Sequence, residues 1–137
     1  MSAMRYLVDT NILLRFLSGE PPTQAAAARK LFDRSARGEL ILEVPALIVA
    51  EAYYTLVSFY EVERKVAAGK LSLLLQQQGV KLRDGSSVLT ALGWLQTSNV
   101  GFADAYLAAV AGDERLTVAS FDADFDRLRV ARYEPTA

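Results

Sequence analysis

The stretch "YLVDTNILLR", residues 6–15, decides how this chain is read. Tyr6-Leu7-Val8 has the look of a short buried strand. Asp9-Thr10-Asn11 interrupts it, and Ile12-Leu13-Leu14 restarts an apolar run at once. A strand that ends on a carboxylate and passes directly into a helix opens an alternating α/β chain. Asp9 has two readings at such a seam. It can cap the helix, because a carboxylate there accepts free backbone N–H groups and complements the helix dipole. It can also be one corner of a metal site.

Working outward, the apolar pattern keeps alternating. Asn11 to Ser18 reads as a short helix stopped by Gly19-Glu20-Pro21-Pro22. Thr23 to Arg37 is an Ala-rich helix ended by Gly38, and Glu39 to Val44 a second strand. Pro45 suits a first helical turn, and that helix runs to about Tyr60. Glu61 to Gln78 is helical, Val80-Lys81-Leu82 a third strand, and Ser86 to Thr97 and Gly101 to Gly112 two further helices. Leu116 to Ala119, Asp122 to Arg129 and Val130 to Tyr133 complete the pattern as strand, short helix and strand. Strands alternating with helices imply a mostly parallel sheet of about five strands with helices on both faces, a three-layer α/β/α sandwich. In such sheets ligands bind at the carboxyl ends of the strands, where Asp9 and Asp122 fall.

Composition narrows the chemistry. At 137 residues the chain is expected to be one domain, residues 1–137, able to bury a full core without disulfides. It has no Cys and no His. Thiolate nucleophiles, Ser-His-Asp triads and His- or Cys-liganded metals are therefore excluded, and any metal must sit among oxygens, as Mg²⁺ or Mn²⁺ does. The formal net charge of −1 argues against a grip on nucleic acid by bulk charge, while leaving room for a local basic rim. No signal peptide and no membrane-spanning apolar run is apparent, so a cytoplasmic protein is expected.

Four carboxylates occupy unusual places. Glu51 is the only charged residue between Pro45 and Tyr60, with Leu47, Ile48, Tyr54 and Thr55 as its helical neighbours. An acid in that setting needs an Arg partner, a rim position or a function. Asp104 is the only charge in "NVGFADAYLAAVAG", where it is either a first-turn acid favoured by the dipole or a ligand. Asp122 and Asp124 lie in "VASFDADFDRL", a stretch equally suited to a capped turn. If these acids converge, each pair at about 5 Å repels by roughly 3 kcal/mol at an effective dielectric near 20. Such a cluster requires protons or a divalent cation.

The residues "YLVDTNILLR", "VPALIVAEAYYTL", "GFADAYLAAVA" and "TVASFDADFDRL", in this order over nearly the whole chain, resemble the PIN domain. The likeness is specifically to VapC-type ribonuclease toxins. The resemblance implies a PIN-like fold and an acidic quartet of Asp9, Glu51, Asp104 and Asp122. Asp9 and Asp104 would be the most direct Mg²⁺ ligands, Glu51 and Asp122 would act partly through bound waters, and Asn11 and Ser120 would orient them. Asp124 is the alternative to Asp122. It also implies an RNA substrate, such as a tRNA or ribosomal RNA loop, a cognate VapB-like antitoxin and a homodimer. Arg15, Arg29, Lys30, Arg34 and Arg37 are candidates for a basic rim, and Leu14, Phe16 and Leu17 for an apolar antitoxin groove, or else for a solvated face and core.

Two alternatives compete. A haloacid-dehalogenase-like phosphatase would use Asp9 as nucleophile, but it wants a second Asp where this chain has Asn11. A non-catalytic module would use its acidic pocket only to hold a basic partner.

Overall fold

The computed structural model describes residues 4–136; residues 1–3 and 137 of the expected domain lie outside it. In chain order the elements are β1 (Met4–Leu7), α1 (Thr10–Ser18), α2 (Pro22–Ala36), β2 (Leu40–Val44), α3 (Ala46–Ser58) and α4 (Arg64–Leu75). Then follow β3 (Val80–Leu82), α5 (Ser87–Thr97), α6 (Phe102–Glu114), β4 (Val118–Ala119), α7 (Asp124–Arg127) and β5 (Arg132–Tyr133). Each expected helix and strand forms with shifted bounds, so the chain is an α/β protein with parallel strands. The first strand, expected buried at Tyr6–Val8, is instead Met4–Leu7 and exposed, because it lies at the sheet edge; of the expected residues only Val8, just beyond it, is buried.

β2 is the organising strand. It pairs in parallel with β1 on one edge, Leu7 opposite Glu43, and with β3 on the other, Val44 opposite Leu82. Leu40, Leu42 and Val44 are at most 1% exposed, and Ile41 and Glu43 on the other face are partly or largely covered. A near-continuous apolar strand of this kind is what a parallel sheet covered on both faces demands. The helices that cover it are joined through small residues. Ala67 and Ala68 of α4, Ala91 of α5, and Ala105 and Ala108 of α6 lie in one core cluster with Leu71, Leu92 and Leu95.

The expectation of one five-stranded sheet is corrected. Among the described residues β1-β2-β3 form one sheet, and β4 and β5 form a separate parallel pair, Val118 opposite Arg132 and Ala119 opposite Tyr133. The reason is length. Two-residue strands offer too few ladder positions to hold a register against a longer neighbour. The outer edge of β1 consequently stays unpaired, and Leu7 is 67% exposed. Among the described residues no helix is long and apolar enough to cross a membrane.

Charge ties the first sheet together. Glu43, whose side chain is only 10% exposed, accepts from Arg5 Nε of β1 at 2.6 Å and from Arg83 Nη1, just beyond β3, at 3.2 Å. The hydrogen bond from Arg5 holds the Glu43 carboxyl below the usual carboxylate range, against the opposing effect of burial, with the charges of Arg5 and Arg83 adding to it. The end of α2 docks on the start of β3. Ser35 Oγ donates to the Phe32 carbonyl at 2.8 Å, and Gly79, at φ +86°, lies against the Ser35 backbone.

Two measurements check this frame. In Gly79→Ala the new methyl would strike the Ser35 carbonyl and the backbone would sit in the left-handed region. Chemical denaturation should show a loss of about 3 kcal/mol or more. Gly38→Ala, at φ +80° with open space around it, should lose only about 1 kcal/mol. A depressed carboxyl stabilises the fold above its unfolded pKa and ceases to do so as pH falls through the folded value. Glu43→Gln should therefore be less stable than wild type at neutral pH, and the gap should shrink on acidification below the ordinary glutamate range of about 4.3.

Candidate active site

Parallel pairing places the carboxyl ends of β1, β2 and β3 on one edge. The chain leaves β1 through Val8 and Asp9. Asp9 is the N-cap of α1, its Oδ1 accepting from the Thr10 backbone N–H at 2.7 Å. The capping reading is thus correct for one oxygen, and Oδ2 accepts no hydrogen bond from the described residues. Beside it the Thr10 hydroxyl, in a residue 4% exposed, has no partner among the described residues. An orphaned buried hydroxyl costs about 1–3 kcal/mol.

β2 leads through Pro45 into α3. Pro45 caps this helix rather than opening its first turn. Asp84, just past β3, accepts from the Ala46 backbone N–H at 2.8 Å and so satisfies one of the free donors at the helix start. Sequence reading missed Asp84, although an acid directly after a strand, in the turn Arg83-Asp84-Gly85, is the signal that could have found it. Glu51 is exposed on α3 and forms no ion pair or hydrogen bond with the described residues, so of the alternatives for it an Arg partner is absent among them and an exposed rim position is what is seen.

α3 and α6 line a groove of about 430 Å³, walled by Leu47, Tyr54, Phe102, Ala103 and Tyr106 with Asp84 on its border. Leu47 and Tyr54 stand one turn either side of Glu51, and Ala103 immediately precedes Asp104. The tyrosines were not singled out by sequence. Their spacing from Glu51 and Asp104 is the only signal that marks them. Burial pushes the Tyr106 phenol up, with the charges of Asp84 and Glu114 adding to it.

Asp104 lies in the first turn of α6 and is half-buried. Burial raises its pKa first, and the negative charges of Asp122 and Asp124 raise it further. Asp122 follows β4 and is set by a tight turn: its backbone N–H donates to Ser120 Oγ at 2.9 Å, and its Oδ1 accepts from the Asp124 backbone N–H at 2.8 Å. Asp124 instead spends its carboxylate on Arg127 Nη2 at 2.9 Å.

The structure therefore brings Asp104, Asp122 and Asp124 into one electrostatic neighbourhood, and sets Glu51 and Asp104 on helices that share a groove. Asp9 lies at the edge of the other sheet. Among the described residues no three acidic side chains stand close enough to hold a single ion. The separation follows from the split sheet, because Asp9 is carried by β1 and Asp122 by β4. The donor chemistry nevertheless fits a hard divalent cation: the acids supply only oxygens, burial and the charges of Asp122 and Asp124 raise the pKa of Asp104, and the Thr10 hydroxyl beside Asp9 has no partner among the described residues.

The flanking features expected of the first two helices are corrected. Arg34 and Arg37 both bind Glu39, and Arg15 donates to Gln24 and Tyr60, so these three are spent on local structure. Arg29 and Lys30 remain exposed. Leu14 is buried, Phe16 packs on Phe32 with ring centroids 4.7 Å apart, and Leu17 packs against the core. Of the two readings of these apolar residues, their packing fits the core.

No curated protein matches the chain. Among solved structures, it resembles VapBC2 from Rickettsia felis, described in its crystal structure as bound to a DNA fragment from their promoter. That likeness is at 16% identity, covering 95% of this chain and 98% of the other with a TM-score of 0.39. A sequence profile of the PIN domain matches residues 6–131, a span that takes in all four quoted motifs, and the chain accordingly belongs to the PIN domain family.

Proposed function

We propose that this protein is a Mg²⁺-dependent endoribonuclease, the toxin of a VapC-type toxin–antitoxin pair, acting in the cytoplasm on a structured RNA such as a tRNA or ribosomal RNA loop. The observation that carries the reading is the groove between α3 and α6. Glu51 is carried by one of its two helices and Asp104 by the other, beside the lining residues Leu47, Tyr54 and Ala103, and Asp122 is near enough to disfavour the charge on Asp104. Asp9 and Asp104 would hold the cation directly, with Glu51 and Asp122 completing the site through water. Mn²⁺ has the same oxygen preference and could replace Mg²⁺.

A bound divalent cation supplies an activated water at neutral pH and offsets the charge of the phosphate. The chain's own residues do the rest. Asp9 keeps one oxygen on the Thr10 N–H, which fixes its carboxylate and leaves Oδ2 for a ligand. Ser120 pins the turn that presents Asp122, and Asn11, exposed in the first turn of α1, would orient a water beside Asp9. The open groove would admit an unpaired strand, and the acids alone would repel its phosphates. A VapB-like antitoxin and a homodimer belong to the same proposal, on the strength of the four motifs.

Of the two acids in "DAD", Asp122 suits the site better, because Asp124 is already neutralised by Arg127. Asp104→Asn and Asp122→Asn should each lower Mg²⁺-dependent cleavage of a structured RNA by more than about 100-fold, the upper end of what losing a mere orienting partner costs. Asp124→Asn should stay within about 10-fold of wild type, and equal losses at both positions would reassign the site to Asp124. Asp104 has a raised folded pKa, so the metal-free fold loses stability as pH rises through that value. In EDTA, Asp104→Asn should melt higher than wild type at neutral pH, with the difference gone below about pH 3. A pure binding module would cleave nothing with or without Mg²⁺, and a phosphatase would release phosphate from a small ester.

A further inference from the structure

A cavity of about 560 Å³ lies away from the groove, lined by residues of α5, α6, the end of α7 and the segment after it. It is lined by two arginines, Arg127 and Arg129, by Trp94, and by Thr90 and Ser98. One acid, Asp113, also borders it, but that carboxylate already accepts from Ser87 Oγ. Arg129 forms no salt bridge among the described residues and holds φ at +60°, a conformation that a non-glycine side chain adopts only at a cost. Arg127 faces two ways. It lines this cavity and binds Asp124, whose charge reaches Asp104. The cavity thus borders the acidic neighbourhood through one ion pair.

We infer that this cavity is a subsite for one nucleotide of a single-stranded RNA segment, with Arg127 and Arg129 on a phosphate, Trp94 stacked on the base, and Thr90 and Ser98 toward the ribose. The inference rests on the proposed ribonuclease reading and names where the substrate is gripped. Clustered carboxylates repel a polyanion, so cations must stand nearby, and the rim expected on α2 is largely spent on Glu39. An indole face beside guanidinium groups is the combination that single-stranded nucleic acid uses, since every base offers a flat π surface and every linkage an anion. A cavity of this volume lies within the range of small-ligand sites. An acidic peptide would satisfy the arginines but gives the indole nothing flat to stack on.

Trp94 is the only tryptophan in the chain, so its fluorescence reports on this cavity alone. The probe is a 2′-O-methyl hexanucleotide, resistant to cleavage, titrated in EDTA against the full chain, with inorganic phosphate and an acidic hexapeptide as comparison ligands. The oligonucleotide should quench Trp94 with micromolar affinity, while millimolar phosphate and the peptide should not. Arg129→Asn removes the cation yet tolerates a left-handed backbone, and should weaken binding about 5- to 10-fold and shallow the salt dependence by nearly one counterion. Arg127→Ala should act likewise, and Lys70→Ala, on the exposed side of α4, should leave binding unchanged. Absence of quenching, equal quenching by phosphate or peptide, or an affinity indifferent to Arg129→Asn in a variant that melts like wild type overturns the subsite. Cleavage that survives Asp104→Asn would sink the catalytic reading while leaving an oligonucleotide response at Trp94 intact, so the two failures are distinguishable.

Discussion

β2 has neither a free edge nor a bare face, and that constraint shapes the rest. A strand so enclosed must be largely apolar on both sides, which Leu40, Leu42 and Val44 satisfy on one face and Ile41 on the other, and any polar residue in it must be fully paired. Glu43 meets that demand by holding one arginine from each flanking strand region. The arrangement locks three parallel strands in register, and parallel strands put their carboxyl ends on one side. Asp9, the head of α3 and Asp84 therefore share an edge because β2 is buried, and no separate device is needed to bring them there.

Helix geometry then does the positioning. Asp84 caps α3, so the helix that presents Glu51 is anchored to the end of β3 as well as to β2. α6 begins at Gly101, whose extended backbone starts the helix, and Asp104 falls in the first turn, where the dipole favours a negative charge even as burial and its neighbours oppose it. The opposing effects prevail, since its pKa is raised. A carboxylate that the fold disfavours, in a helix otherwise made of small and apolar residues, is poorly explained by stability alone.

Much of this was legible in the sequence. The helices were visible because each has an apolar stripe and clear stops, and the acids stood out because Glu51 and Asp104 are lone charges in apolar segments. The two-residue strands were not legible as a separate sheet. "LTVAS" and "VARY" carry a β pattern, but pairing partners depend on ladder length, which composition does not encode. The rim was misplaced for a related reason. Arg34 and Arg37 look free along a helical wheel, and only the turn at Gly38 brings Glu39 back to meet both. The cavity at Trp94 joins residues from α5, α6 and the segment after α7, and no spacing rule links positions 94 and 129.

How the chain distributes its charge bears on what the acids are for. Among the described residues the ion pairs serve Glu39 and Glu43 with two arginines each, Asp124 with Arg127, and Asp126 and Glu134 with a shared Arg132. None serves Asp9, Glu51, Asp104 or Asp122. A fold using those four for structure would gain by pairing at least the half-buried one, because an uncompensated charge in a partly dry site is costly while an ion pair on the surface contributes little. With no histidine in the chain and no arginine assigned to these acids, the repulsion of Asp122 and Asp124 on Asp104 is offset by a proton on Asp104 or by a cation from outside the chain. On the proposed reading, that vacancy in the charge pattern links the family's motifs to phosphodiester chemistry. The positive charge that the chain withholds from the acids is the charge that a metal ion would bring.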